Sequence, residues 1–218
     1  MSSRLTDVRA RFDTLAARYE ELVASAEAQV GRRAWTRSLG ADDPRPPWGW
    51  LTHRFRESPP SDPHRWDEVG YDGDGRIVLV TRPGAVLRHE VLVRSHRPGL
   101  CEQYEFHHSV TEPGVAGRYV LVAVSGFHYA GERLTASDRY TLHGTWDWES
   151  YSYGDDGRLC RIDRHTRIVH PDQVPDAGLQ PGDVAHWQHV PEFDHRGRLK
   201  RIRAFGPGGW NGEVHWPT

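Results

Sequence analysis

The chain has 218 residues, 37% of them hydrophobic and 27% charged, with a formal net charge of −2. That length accommodates one domain with a sizeable core, and the near-neutral balance excludes a global drive toward nucleic acid or an acidic membrane. No run approaches the roughly eighteen consecutive apolar residues of a spanning helix, and the N-terminus carries no continuous apolar stretch of signal-peptide type, so the expectation is a soluble cytoplasmic protein.

Leu5, Val8, Phe12, Leu15, Tyr19, Leu22, Ala26 and Val30 recur at alternating three- and four-residue steps. The spacing predicts one amphipathic helix of about 25 residues within segment 1–31, capped by Ser2 or Ser3 and stopped at Gly31. The stripe keeps a heptad, so a homodimer through this helix is an alternative to docking on the protein's own sheet, which is the favoured reading. Segment 32–65 changes character. Asp42-Asp43-Pro44-Arg45-Pro46-Pro47 and Ser58-Pro59-Pro60-Ser61-Asp62-Pro63 are extended punctuation. Trp48, Trp50, Leu51 and Phe55 between them carry too much aromatic surface for a free linker, so an ordered arm over the sheet is expected.

Segment 66–218 reads as strand almost throughout, and it carries a repeated phrase: Tyr71-Asp72-Gly73-Asp74-Gly75-Arg76-Ile77, Tyr153-Gly154-Asp155-Asp156-Gly157-Arg158-Leu159 and Phe193-Asp194-His195-Arg196-Gly197-Arg198-Leu199. A Trp (Trp66, Trp148, Trp187) precedes each, and Tyr129-Ala130-Gly131-Glu132-Arg133-Leu134 is a shortened fourth copy. An aromatic, a polar turn, a fixed Gly and a returning aliphatic predict β-hairpins, with the Gly at positive φ in a type I turn closed by a G1 bulge. Tyr119-Val120-Leu121-Val122-Ala123-Val124 is apolar on both faces and suits a central, doubly covered strand. Cys101 and Cys160 lie in strand-like runs and are read as buried free thiols, with one disulfide as the alternative. The fold class expected is mainly β: a large curved antiparallel sheet or barrel-like structure of consecutive hairpins, with one long N-terminal helix packed on it. One globular unit is expected overall.

The phrase resembles the YD repeat of Rhs-type proteins: tyrosine, aspartate, two variable residues, Gly-Arg and an aliphatic. Tyr71 to Ile77 matches best, and Tyr153 to Leu159 has Gly154 where the Asp belongs. In that family, long regular arrays of hairpins wind into a shell that encloses a toxin or presents a partner surface. Here the copies are widely spaced and too few to close a shell, so the resemblance implies hairpins and, by association, an accessory role.

Strand alternation groups the candidate chemistry. Glu105 and His107 share one face of their strand, a carboxylate beside an imidazole suited to acid–base work, with His89 and Glu90 of the preceding strand, or His128 of the following one, placed to converge there. Tyr104 is added as a ligand-binding residue. Trp146, Trp148, Tyr151 and Tyr153 are read as a row that could stack a flat ligand or fill a core. His107 and His108 point to opposite faces, His186 and His189 do not share a strand face, and no zinc motif occurs, so no metal or cofactor is expected. The main expectation is a bacterial binding or accessory protein presenting a Trp-, Tyr- and Arg-rich sheet surface to an unknown protein partner or small molecule, with no membrane partner and nucleic acid disfavoured. The alternative is a small-molecule enzyme of secondary metabolism using Glu105 and His107 in a pocket of the curved sheet.

Overall fold

Each full copy of the repeated phrase folds as a turn of one geometry. In the first, the Gly75 N–H donates to Asp72 O at 3.1 Å and the Asp72 N–H to Arg76 O at 2.9 Å. The same pair of bonds recurs at Gly154–Arg158 and Asp194–Arg198. Gly75, Gly157 and Gly197 sit at φ 78°, 75° and 76°, and the ladder slips by one residue at Gly70/Tyr71, Ser152/Tyr153 and Glu192/Phe193. This is the type I turn with a G1 bulge that the phrase predicts. The aspartate of the phrase has its own role: Asp72 Oδ1 accepts from the N–H of Asp74 and Arg76, and Asp194 Oδ1 from Arg196 and Arg198. Where Gly154 replaces it, Asp156 accepts from Arg158 instead. The Arg198 and Arg196 bonds hold the Asp194 carboxyl down to about 2, so its contribution is present above the ordinary 3.8 and is lost as pH falls toward 2.

The computed structural model describes residues 12, 14–15, 17–37, 43–45, 55–62, 65–83, 90–109, 118–169, 179–209 and 211–215. The described strands are β1 (Arg32–Thr36), β2 (Asp67–Tyr71), β3 (Ile77–Arg82), β4 (Glu90–Arg97), β5 (Leu100–Ser109), β6 (Arg118–Ala130), β7 (Arg133–Thr141), β8 (Trp146–Tyr153), β9 (Leu159–Arg167), β10 (Val184–Phe193), β11 (Leu199–Phe205) and β12 (Asn211–His215). They form one 12-stranded sheet in chain order, with β1 and β12 at its two ends. The chain divides within β6 into two compact units, 1–127 and 128–218.

In the first unit both faces of the sheet bury apolar side chains. Leu79, Val91, Val93, Tyr104 and Phe106 lie on one face, and Val69, Val80 and Leu92 cluster on the other. The first face is covered by a helix, but a short one: α1 (Tyr19–Glu27), nine residues. The single helix of about 25 residues expected from the apolar stripe does not form. Phe12, Thr14 and Leu15 are helical, but Arg18 leaves the helix at φ −107°, ψ 24°. Its N–H closes a turn onto Leu15 O at 3.0 Å, and its guanidinium pairs with Glu21 in the first turn of α1. Apolar spacing reports which residues face the sheet and not whether the backbone between them is continuous. The stripe still docks: Phe12, Leu15 and Ala26 are buried, and Tyr19 stacks on Tyr119 at 4.1 Å and meets Phe106 edge-on at 5.0 Å. The expected stop at Gly31 also moves. The helix ends at Glu27, the Gln29 and Val30 N–H groups make tighter three-residue bonds, and the Gly31 N–H donates to Tyr71 O at 2.8 Å, drawing the chain into β1. The proposed Ser2 or Ser3 cap lies outside the described residues.

Segment 32–65 supplies β1 at its start, and Trp35 bridges back to Arg56; Trp48, Trp50 and Leu51 lie outside the described residues. Phe55 lies edge-on to Tyr71 at 6.4 Å. In β6 one face, Leu121, Ala123, Ser125 and Phe127, is buried, whereas on the other Val124 is buried and Val120 and Val122 are half-buried, so the strand is less fully covered on that side than expected. Both cysteines are free thiols, but Cys160 is exposed, its Sγ donating to Ser152 O at 3.2 Å; Cys101 is buried. Among the described residues no helix is long and apolar enough to cross a membrane.

Gly75 has open space where a Cβ would stand, so Gly75→Val tests backbone conformation alone. The expected loss is about 1–3 kcal/mol by denaturant unfolding, against a negligible change for Gly73→Ala, whose φ is not positive. Equal stability of the two variants would contradict the turn.

Candidate functional site

Register decides which candidate residues meet. In the first unit, β3, β4 and β5 align Arg82, Glu90 and His107 directly across the sheet, with Glu105 one step along the same face. His107 Nε2 lies 3.0 Å from Glu105 Oε1 and 3.9 Å from Glu90 Oε2. Arg82 donates to Glu90 Oε1 at 2.5 Å and stands 3.4 Å from Asp67 Oδ2. The expected Glu105–His107 pair therefore exists, with its side chains 15% and 22% exposed. Glu90, expected to converge there from the preceding strand, does so, and Arg82 completes the group; Arg82 was missed because the β3–β4 pairing had not been assigned. The rest of the expected set is elsewhere. His89 lies outside the described residues. Tyr104 is on the opposite, helix-covered face, where its OH donates to buried Glu102 at 3.3 Å and Glu102 meets Arg97 at 3.0 Å. These last three line an open cleft of about 550 Å³ between α1 and β4–β5, together with Leu15, Arg18 and Leu22.

His128 belongs to a second constellation, inside the second unit. Its Nε2 lies 2.6 Å from Oδ2 of Asp138, a carboxylate only 3% exposed. Asp138 pairs across the ladder with Trp148, Trp148 with His165, and His165 with His186, so one row crosses β7 to β10 with His128 at its head. Trp148 and His165 rings are 5.1 Å apart, and His165 stacks on His186 at 4.6 Å. Beside the row, His186 Nε2 lies 3.3 Å from Asp163 Oδ1, whose other oxygen accepts from Arg161 Nε at 2.6 Å. Tyr140 and Trp146 pair on the same face, followed by Arg167. Arg201 and Arg203, both joined to Glu192 at 2.6 Å, extend it over β11. Burial, reinforced by the neighbouring His186, lowers the pKa of His165, against a smaller opposing pull from Asp163.

The row of four aromatics expected on β8 does not exist. Trp146 and Trp148 share a face, but Tyr151 projects from the other, because alternate residues of a strand point oppositely. Tyr151 OH donates to Glu149 and lies 3.0 Å from Ser137 Oγ. That opposite face carries a structural polar network: Asp147 Oδ1 accepts from Thr166 Oγ1 at 2.6 Å and from Arg164 at 2.9 Å. His189 is half-buried beside it, and its partial burial lowers its pKa, with Glu149 and Arg164 pulling in opposite directions. Tyr153 turns its OH to Leu134 O at 2.7 Å.

Asp138, His165, His186 and Asp163 escaped the sequence reading. One of these links was available: the Gly154–Arg158 turn sets the β8–β9 register and so brings Trp148 opposite His165. The β9–β10 connection has no such turn signal, and His186 could not be placed.

No protein-family model and no curated protein matches the chain. Among solved structures, it is similar to a porin-like protein from Bacteroides uniformis, at 9% identity, covering 68% of this chain and 86% of that one with a TM-score of 0.27. A likeness at that level carries no argument about function.

Because the lowered values of His165 and His189 disfavour their charged forms, both should titrate below the ordinary 6.5. The stability they support is complete above that value and is lost as pH falls through their folded-state values. Ring-proton NMR titration checks this, and a midpoint at or above 6.5 for either residue would contradict the burial assigned to it.

Proposed function

We propose that the protein is a binding protein whose Trp-, Tyr- and Arg-rich face in the second unit holds a small planar molecule. The observation that carries this reading is the row His128–Asp138–Trp148–His165–His186, which lays two imidazoles and an indole side by side across consecutive strands. Aromatic surfaces of this kind stack flat ligands, each contact contributing about 1–3 kcal/mol. Solvent reaches the face, since the side chains of His186, Arg161 and Arg203 are 52%, 51% and 44% exposed. The polar rim gives orientation: Asp163 and the imidazoles supply donors and acceptors, and the arginines favour a ligand with an anionic substituent.

A second reading adds chemistry on the same face. A buried carboxylate on one ring nitrogen keeps the proton of neutral His128 at Nε2 and leaves Nδ1 as a base, the way acid–base histidines are oriented. A bound molecule would then be converted slowly in solution, and His128→Gln would stop conversion while sparing binding.

Saturation-transfer NMR against a library of planar heteroaromatic acids tests the first reading. At least one compound should bind, and Trp148→Ala should weaken it by on the order of 10-fold or more. Tyr153→Phe, on the Leu134 side of β8, should leave it unchanged. Binding indifferent to Trp148→Ala, or none at all across the library, would overturn the assignment.

A further inference from the structure

We propose that Glu90, Glu105 and His107 form a site for one divalent first-row transition ion, of the zinc or manganese type. The site is in the first unit and is independent of the aromatic face. Glu90 stands directly opposite His107 on the neighbouring strand, and Glu105 lies two residues from His107 on the same strand face, so three donors from two rigid strands converge. One donor atom from each lies within 4.8 Å of the other two.

The spacing suits an ion. A metal held about 2.0–2.2 Å from each donor sets neighbouring donors roughly 3.0 Å apart in octahedral geometry and roughly 3.4 Å apart in tetrahedral geometry. His107 Nε2 lies 3.0 Å from Glu105 Oε1 and 3.9 Å from Glu90 Oε2, so the two edges bracket those values. The third edge, between Glu90 and Glu105, lies within 4.8 Å.

The donor set selects the class. One imidazole nitrogen and two carboxylates suit a borderline or moderately hard ion, whereas calcium takes six to eight oxygens and soft ions take thiolates. Three protein donors on one side leave the remaining positions to water or a ligand, as in metal sites that act on something. An outer layer is also in place. Arg82 holds Glu90 Oε1 and is itself 3.4 Å from Asp67, which leaves Oε2 directed toward His107. Hydrogen-bonded support of a ligating carboxylate is what such sites use to orient it. The three side chains are 15% to 23% exposed, sheltered yet reachable, and Leu92 beside Glu105 belongs to the apolar cluster with Val69 and Val80.

The test is calorimetric titration of metal-stripped full-length protein with Zn²⁺ and with Mn²⁺, alongside Co²⁺ substitution read by visible absorption. One ion should bind per chain, and Glu105→Gln and His107→Ala should each weaken it by on the order of 100-fold and abolish the Co²⁺ band. His143→Ala, in an exposed turn, should bind as the wild type does. Melting temperatures of the metal-free variants establish that each is folded; if His107→Ala is not, Glu105→Gln decides alone. No saturable binding by the wild type, or unchanged one-to-one binding in a folded Glu105→Gln variant, would overturn the site.

Discussion

The structure depends on a turn that sets register. A type I turn closed by a glycine at positive φ admits essentially one pairing of the strands it joins, and with a side-chain period of two, a slip by one residue would send every side chain to the other face. Gly75, Gly157 and Gly197 perform this at β2–β3, β8–β9 and β10–β11. Thr141–Thr145 performs it again at β7–β8, where Gly144 at φ 81° donates to Thr141 O at 2.9 Å. Both candidate sites depend on register, since each draws groups from neighbouring strands as well as along one strand. They are rows read across strands.

The two units use their faces differently. In the first, apolar side chains fill both sides of the sheet, and the polar row Asp67–Arg82–Glu90–His107 runs along the margin of the Val69–Val80–Leu92 cluster. Placing charges there is tolerable only because each is hydrogen-bonded or paired, since an isolated charge in such surroundings is costly. In the second unit, the aromatic and histidine row occupies one face, while Ser137, Tyr151, Glu149, Arg164 and Asp147 knit the other. A closed polar network rigidifies the strands that present the aromatic face, which is what preorganised recognition requires.

Much of this was legible in the sequence, and the limits have physical causes. The hairpins were, because turn chemistry is local: an aspartate that caps N–H groups and a glycine that takes positive φ are recognisable without any long-range contact. The pairing of Glu105 with His107 followed from alternation within one strand. Helix length did not follow, because the apolar stripe survives the break at Arg18. The turn between β7 and β8 was legible from Gly144, but β7 ends at Thr141 and not at His143, because Leu142 and His143 belong to the turn. Tyr151 and Tyr153 were grouped with Trp146 and Trp148 against the period of two, and the face opposite Asp147 had to be reassigned. His128 met Asp138, not Glu105, because its neighbour is set by the β6–β7 hairpin.

If register builds an aromatic face that holds a small molecule, that molecule should accompany the protein from the cell. Native mass spectrometry of the protein purified from its own host, followed by denaturing release, tests it most directly. The predicted result is a single planar small molecule, released in a one-to-one ratio to the chain. A bare chain, or a second polypeptide in its place, would contradict the claim.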